Sequence, residues 1–154
     1  MTINLTKYDK KELFREFEDY LKQKEILAEK ELAIPVSVFS EKLSPLETVV
    51  KYLVENLNIK YSEIGRLLKK ERQVIWTTYK RASEKIPHIF DEVDSDIVIP
   101  FSVLHSEKFS IAELIVAYLK ENLNMKNSEI SLLLKKDART IWTFYKRYLK
   151  KKNG

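Results

Sequence analysis

Cysteine is absent from the 154 residues, which rules out disulfides and thiolate metal sites. Histidine occurs twice, as His88 and His105, in unlike contexts, so an imidazole metal cage is not expected. Glycine also occurs twice and proline four times. Few turns can therefore demand a positive φ, and a mostly helical chain is expected. No stretch approaches the ~20 apolar residues that span a bilayer. The opening MTINLTKYDKK has no signal-peptide apolar run. A soluble, cytoplasmic protein without a membrane partner is the expectation. Gly-rich phosphate loops, nucleophile–base pairs and carboxylates at metal spacing are missing too. Neither catalysis, nor a cofactor or metal, nor a small-molecule substrate is expected.

What is present is charge in excess of one sign and a repeat. The chain carries 28 basic and 23 acidic residues, net +5. Aligning Ser40–Arg81 on Ser106–Arg147 gives 26 identities in 42 positions, counted from the sequence. Such a score marks a duplication. Each copy has an Ile-Pro-x-Ser-Val lead-in (Ile34, Pro35; Ile99, Pro100), and one extra residue near His105 offsets the two registers. The residue before proline avoids the helical region, so the lead-ins begin extended, as brief strands or as clasps on the neighbouring copy.

Within a copy, Ser44 and Glu47 form a capping-box pattern with Pro45 at the first helical position, and Ser110 and Glu113 repeat it. Leu46, Val49, Val50, Leu53 and Leu57 then make one apolar stripe. Asn58 and Asn124 suit a left-handed turn. Ser62 is placed as the cap of a short second helix with Ile64, Leu67 and Leu68 inward. Gly65 and Ser131 are small where a third helix must cross closely. That helix begins at Glu71 or Asp137, whose acidity suits the positive helix end. Ile75, Tyr79 and Ala82 face inward, as do Ile141 and Tyr145. Tyr52 and Tyr118 are read as core aromatics.

These motifs carry a resemblance. Leu43, Ser44 and Glu47, then Ser62, Glu63, Ile64 and Gly65, then Asp137, Thr140 and Ile141, and finally Arg81 and Ala82 follow a shared family pattern. The string is similar to the helix-turn-helix of sigma factor region 4 and of LuxR-type response regulators. Lys69 and Lys135 stand where those families place the turn glycine. The resemblance covers about 40 residues per copy, and no receiver domain or promoter-melting region accompanies it. It implies an all-α fold of two tandem three-helix units whose third helices meet DNA.

Charge sits where that fold would use it. Lys69–Lys85 holds six basic and two acidic residues (6 − 2 = +4), and Lys135–Lys152 eight and one (8 − 1 = +7). Residues 1–33 hold seven and eight (7 − 8 = −1). A polyanion releases counterions to such a distribution. The base-reading candidates are Arg72, Gln73, Trp76 and Thr77, with Arg139, Thr140, Trp142 and Thr143, because the first turns of a recognition helix reach base edges. Trp76 and Trp142 lie beside the inward Ile75 and Ile141, so each ring either closes the core edge or faces the groove. The phosphate candidates are Lys69, Lys70, Lys80 and Arg81, with Lys135, Lys136, Lys146 and Arg147. Tyr61, Ser62 and Ser128 join them at the start of the second helices.

The expected division is an N-terminal helix in 1–33, a first unit in 34–85, an acidic linker in 86–98 and a second unit with a basic tail in 99–154. Thr6 or Asp9 would cap the first helix. Its Leu13, Phe14, Phe17, Tyr20, Leu21 and Leu27 would either pack on the first unit or form a homodimer contact. The sequence as a whole points to double-stranded DNA binding as a nucleoid-associated transcription regulator. A sequence-tolerant DNA-coating protein and a protein-binding adaptor are the alternatives.

Overall fold

The computed structural model describes residues 10–91 and 93–154, with 23–31 followed as backbone alone. The expected caps Thr6 and Asp9 and the Leu27 side chain lie outside the described residues. The chain divides into two units at Leu32/Ala33. Helix α1 (Lys10–Glu31) belongs to the first. On it Leu13, Phe14, Phe17, Tyr20 and Leu21 are all exposed. None of the described helices is long and apolar enough to cross a membrane.

The second unit is helical apart from one small sheet. Strand β1 (Ala33–Pro35) runs into a single 3-10 turn at Val36–Val38. Helix α2 (Pro45–Lys51) continues as a π turn at Tyr52–Asn56, followed by α3 (Tyr61–Leu68) and α4 (Arg72–Lys85). The second copy repeats the order with β2 (Val98–Pro100), a 3-10 turn at Phe101–Leu104, α5 (Ile111–Glu121), α6 (Asn127–Leu134) and α7 (Ala138–Asn153).

Local chemistry accounts for the boundaries. At Ser44 the hydroxyl accepts from the Glu47 N–H at 3.1 Å, and the Ser44 N–H donates back to Glu47 Oε1 at 2.8 Å. Ser110 and Glu113 do the same at 3.1 and 3.0 Å. Each box satisfies two backbone donors that the helix start leaves without partners. Asn58 and Asn124, both at φ 54°, make the left-handed turn after the first helix of each copy. Lys69 (φ 53°) and Lys135 (φ 54°) make the one after the second. Lysine thus occupies a left-handed position that glycine would fill without strain. Ser62 is not a cap: Lys60 holds that place and α3 starts at Tyr61, so the serine hydroxyl sits inside the first turn.

Val49, Val50, Leu53, Ile64, Leu68, Ile75 and Ala82 form the interior of the first copy. Ile115, Val116, Leu119, Ile130, Leu134 and Ile141 form that of the second. Leu57 departs from the expected stripe. It follows the π turn, which adds a residue to the helical register, and it is 36% exposed. The close approach expected at Gly65 is real. A Cβ there would stand 2.6 Å from the Lys70 carbonyl oxygen. In the second copy the hydroxyl of Ser131 donates to the matching carbonyl, that of Lys136.

The lead-ins both form strands and clasp. β1 and β2 pair antiparallel with Ile34 opposite Ile99, and the Val36 N–H reaches the Ile97 carbonyl at 3.1 Å. The 3-10 turn after β1 packs on α6 of the other copy, the one after β2 packs on α3, and α2 packs on α5. Residues 33–154 therefore form one compact unit. The expected linker, 86–98, is partly docked within it. Phe90 packs on Leu43, Ala82 and Ile86, and its carbonyl accepts from the Asn56 amide at 3.0 Å. Asp91, Asp94 and Asp96 remain in solvent.

Candidate nucleic-acid interface

Helices α4 and α7 each bury one face and expose the other. On α4, Ile75, Thr78 and Ala82 are buried, while Arg72, Gln73, Trp76, Lys80 and Arg81 are exposed. On α7, Ile141 is buried, while Arg139, Trp142, Lys146 and Arg147 are exposed. The indoles decide between the two readings of their position. Trp76 is 42% exposed and Trp142 50%, so neither ring is closed into the core. The Lys80 ammonium lies 5.3 Å from the Trp76 ring centre, one turn on, where the ring quadrupole attracts it.

The threonines are half-buried. Thr77 donates its hydroxyl proton to the Gln73 carbonyl at 2.9 Å, and Thr143 to that of Arg139 at 2.9 Å. Each hydroxyl keeps lone pairs and a methyl, not a donor, for an outside partner. The Thr140 N–H donates to Asp137 Oδ1 at 2.9 Å. That backbone hydrogen bond chiefly holds the Asp137 carboxyl below its usual value. Glu71, at the same place in the first copy, makes no side-chain cap.

An open cleft of about 300 Å³ is lined by Val54, Ile59, Lys60, Tyr61, Ser62 and Arg72. It joins the start of α3, whose first N–H groups have no intrahelical partner, to the first residue of α4. Arg72 and Lys60 thus stand beside a helix N-terminus, an arrangement suited to an anion. The Tyr61 ring packs on Tyr79 at 5.9 Å. At the start of α6, Asn127 Oδ1 accepts from the Lys120 ammonium at 2.7 Å and Ser128 is exposed. The residue matching Arg72 there is Ala138.

Lys69 and Lys135 are exposed and Lys70 is half-buried. Lys136 has a different task from the phosphate contact expected of it. Its ammonium donates to the carbonyls of Glu41 (3.1 Å) and Leu43 (2.9 Å), tying the start of α7 to the segment that enters α2. Burial pushes the Lys136 ammonium down from the ordinary lysine value, with Glu47 and Glu41 opposing the shift and Lys85 adding to it.

Sequence reasoning missed two supports behind the exposed faces. Buried Glu47 holds Lys85 at the end of α4 at 2.9 and 3.0 Å. Buried Glu113 holds Lys151 near the end of α7 at 2.7 and 3.0 Å. Both lysines counted toward the basic excess, yet each is paired. Their signal was available: both pairs span 38 residues, once per copy. Similarly Tyr79 donates to Glu55 Oε2 and Tyr145 to Glu121 Oε2, both at 2.9 Å across 24 residues. Burial and the Glu55 carboxylate push the Tyr79 phenol up to about 12.

No protein-family model, curated protein or solved structure matches this chain. Among the described residues no group of three His, Asp or Glu side chains is placed to hold a metal.

Proposed function

We propose that the chain is a double-stranded DNA-binding protein, acting as a transcription regulator, in which α3–α4 and α6–α7 serve as two helix-turn-helix units. One observation carries this reading: the same outward set recurs on both third helices, with Trp76, Lys80 and Arg81 matched by Trp142, Lys146 and Arg147. A solvated basic face has no need of a half-exposed indole, whereas an apolar surface flanked by cations suits a groove bounded by phosphates.

In this reading α4 and α7 enter major grooves with Gln73 and Arg139 at base edges. Trp76 and Trp142 meet base methyls or sugar. Thr77 and Thr143, their protons spent on their own helices, offer a methyl or accept from a base. Lys80, Arg81, Lys146 and Arg147 contact phosphates and set the register. Arg72 lines the cleft at the start of α3 with Lys60 and Ser62, and in this reading it contacts a phosphate with them and not a base edge. Lys136 drops out, because its ammonium is committed to carbonyls.

Titration of fluorescent duplexes against salt tests this. A regulator binds a selected duplex far more tightly than its scrambled version, by about 10³-fold or more. A coating protein shows a steep salt slope with little preference, and a protein-binding adaptor shows neither.

A further inference from the structure

The contacts between the two copies are reciprocal. In the strand pair Ile34 faces Ile99, which is its own counterpart. Ala33 faces Pro100, while Pro35, the counterpart of Pro100, faces Val98, the counterpart of Ala33. Exchanging the copies reproduces the pairing. The turn after β1 packs on α6 and the turn after β2 on α3, which is again an exchange, and α2 packs on its counterpart α5. The loops between the copies also touch, through residues that are not counterparts. Lys136, at the turn before α7, bonds the segment entering α2. His105, in the segment entering α5, donates Nδ1–H to the Leu67 carbonyl in the last turn of α3, at 2.8 Å.

One operation accounts for the strand, turn and helix contacts: a two-fold rotation about an axis passing between Ile34 and Ile99. Copies stacked head to tail would not reproduce them, because one face of each would meet a different face of the next. A tandem repeat in sequence is thus a pseudo-symmetric dimer in space, and the axis relates α4 to α7.

We propose that the target is a duplex with two inverted half-sites, an imperfect palindrome, and not a direct repeat. This rests on the DNA-binding reading above. A two-fold protein makes equivalent contacts with both half-sites only when they too are related by a dyad. The palindrome is imperfect because the residues at base edges differ, Gln73 against Arg139. It is retained where Trp76 and Lys80 are matched by Trp142 and Lys146.

Selection from random duplexes with the full chain tests the dyad. Anisotropy titrations would follow on the enriched duplex, on a version with one half reversed, and on one with ~5 bp, half a helical turn, added at the centre. The expected result is an enriched inverted pair whose affinity falls about 100-fold on reversal or insertion, as one of two linked contacts is lost. Three outcomes overturn the dyad while leaving DNA binding intact: halves running in the same direction, a single half-site indifferent to insertion, or two duplexes held by one chain. Failure to retain any duplex at low ionic strength overturns the DNA-binding reading together with the dyad.

Discussion

Both carboxylate oxygens of Glu47 lie within 3.0 Å of the Lys85 ammonium, and Oε1 also accepts the Ser44 backbone N–H. One nearly buried side chain therefore caps α2 and anchors the far end of α4. Removing it leaves a cap unmade and a lysine unpaired. Glu47→Ala is expected to cost about 2–4 kcal/mol in urea unfolding. Lys85→Ala should cost about 1 kcal/mol or less, because the lysine side chain is half-exposed and the capping box survives. Equal losses from the two would remove the carboxylate's double role.

Acid should release the same anchor. Burial alone pushes the Glu47 carboxyl up, but hydrogen bonds from Ser44 and Lys85 outweigh it and hold the group below its ordinary value of 4.5. A carboxyl lowered by folding contributes stability that is present above its unfolded pKa and lost as pH falls through the folded one. The urea midpoint should decline below about pH 5, and Glu47→Gln should flatten part of that decline. A profile unchanged by the substitution would count against it.

Opposite effects are expected at Lys69, in the α3–α4 turn, and at Gly65, within α3. Lys69, at φ 53°, is a left-handed residue with a side chain, so Lys69→Gly should raise stability by up to about 1 kcal/mol. Gly65→Val should lower it by about 2 kcal/mol or more, since its Cβ meets a backbone carbonyl at 2.6 Å. Gly65→Ser should be milder, because Ser131 already donates to the equivalent carbonyl. Thermal melts of the three variants decide this.

The indoles separate folding from binding. Trp142→Ala, at a half-exposed ring, should change stability by less than about 1 kcal/mol. Duplex affinity should fall about tenfold. Intrinsic fluorescence should also shift on duplex addition. Loss of fold in step with loss of binding would return the ring to the core.

Base readers and phosphate anchors predict different patterns. Arg139→Ala should relax preference at one base pair, whereas Lys146→Ala should weaken all duplexes alike and lower the salt slope by about 1. Indistinguishable behaviour would argue against that division of labour.

Much of the architecture was legible because it depends on neighbours in sequence. Capping boxes at Ser44 and Ser110, left-handed Asn58 and Asn124, and the tight spot at Gly65 are all short-range chemistry. The exposed faces of α4 and α7 followed from helical period. The Ile34–Ile99 pairing did not, since three-residue strands carry no alternation and their partners lie a full repeat apart. Lys136 was misplaced because a lysine in a basic run looks like its neighbours until its carbonyl partners in the other copy are known. Phe90 was hidden likewise, an aromatic inside an acidic segment that docks on Leu43 and Ile86.

The swapped lead-ins also change how the assembly responds to dilution. Two separate single-copy chains would hold together only above their dissociation constant, and at nanomolar levels would part. Joined in one polypeptide, β1 and β2 meet at an effective concentration of about millimolar, set by the tether and indifferent to how many molecules a cell contains. A scarce protein built this way keeps α4 and α7 in their mutual arrangement with a single copy per cell.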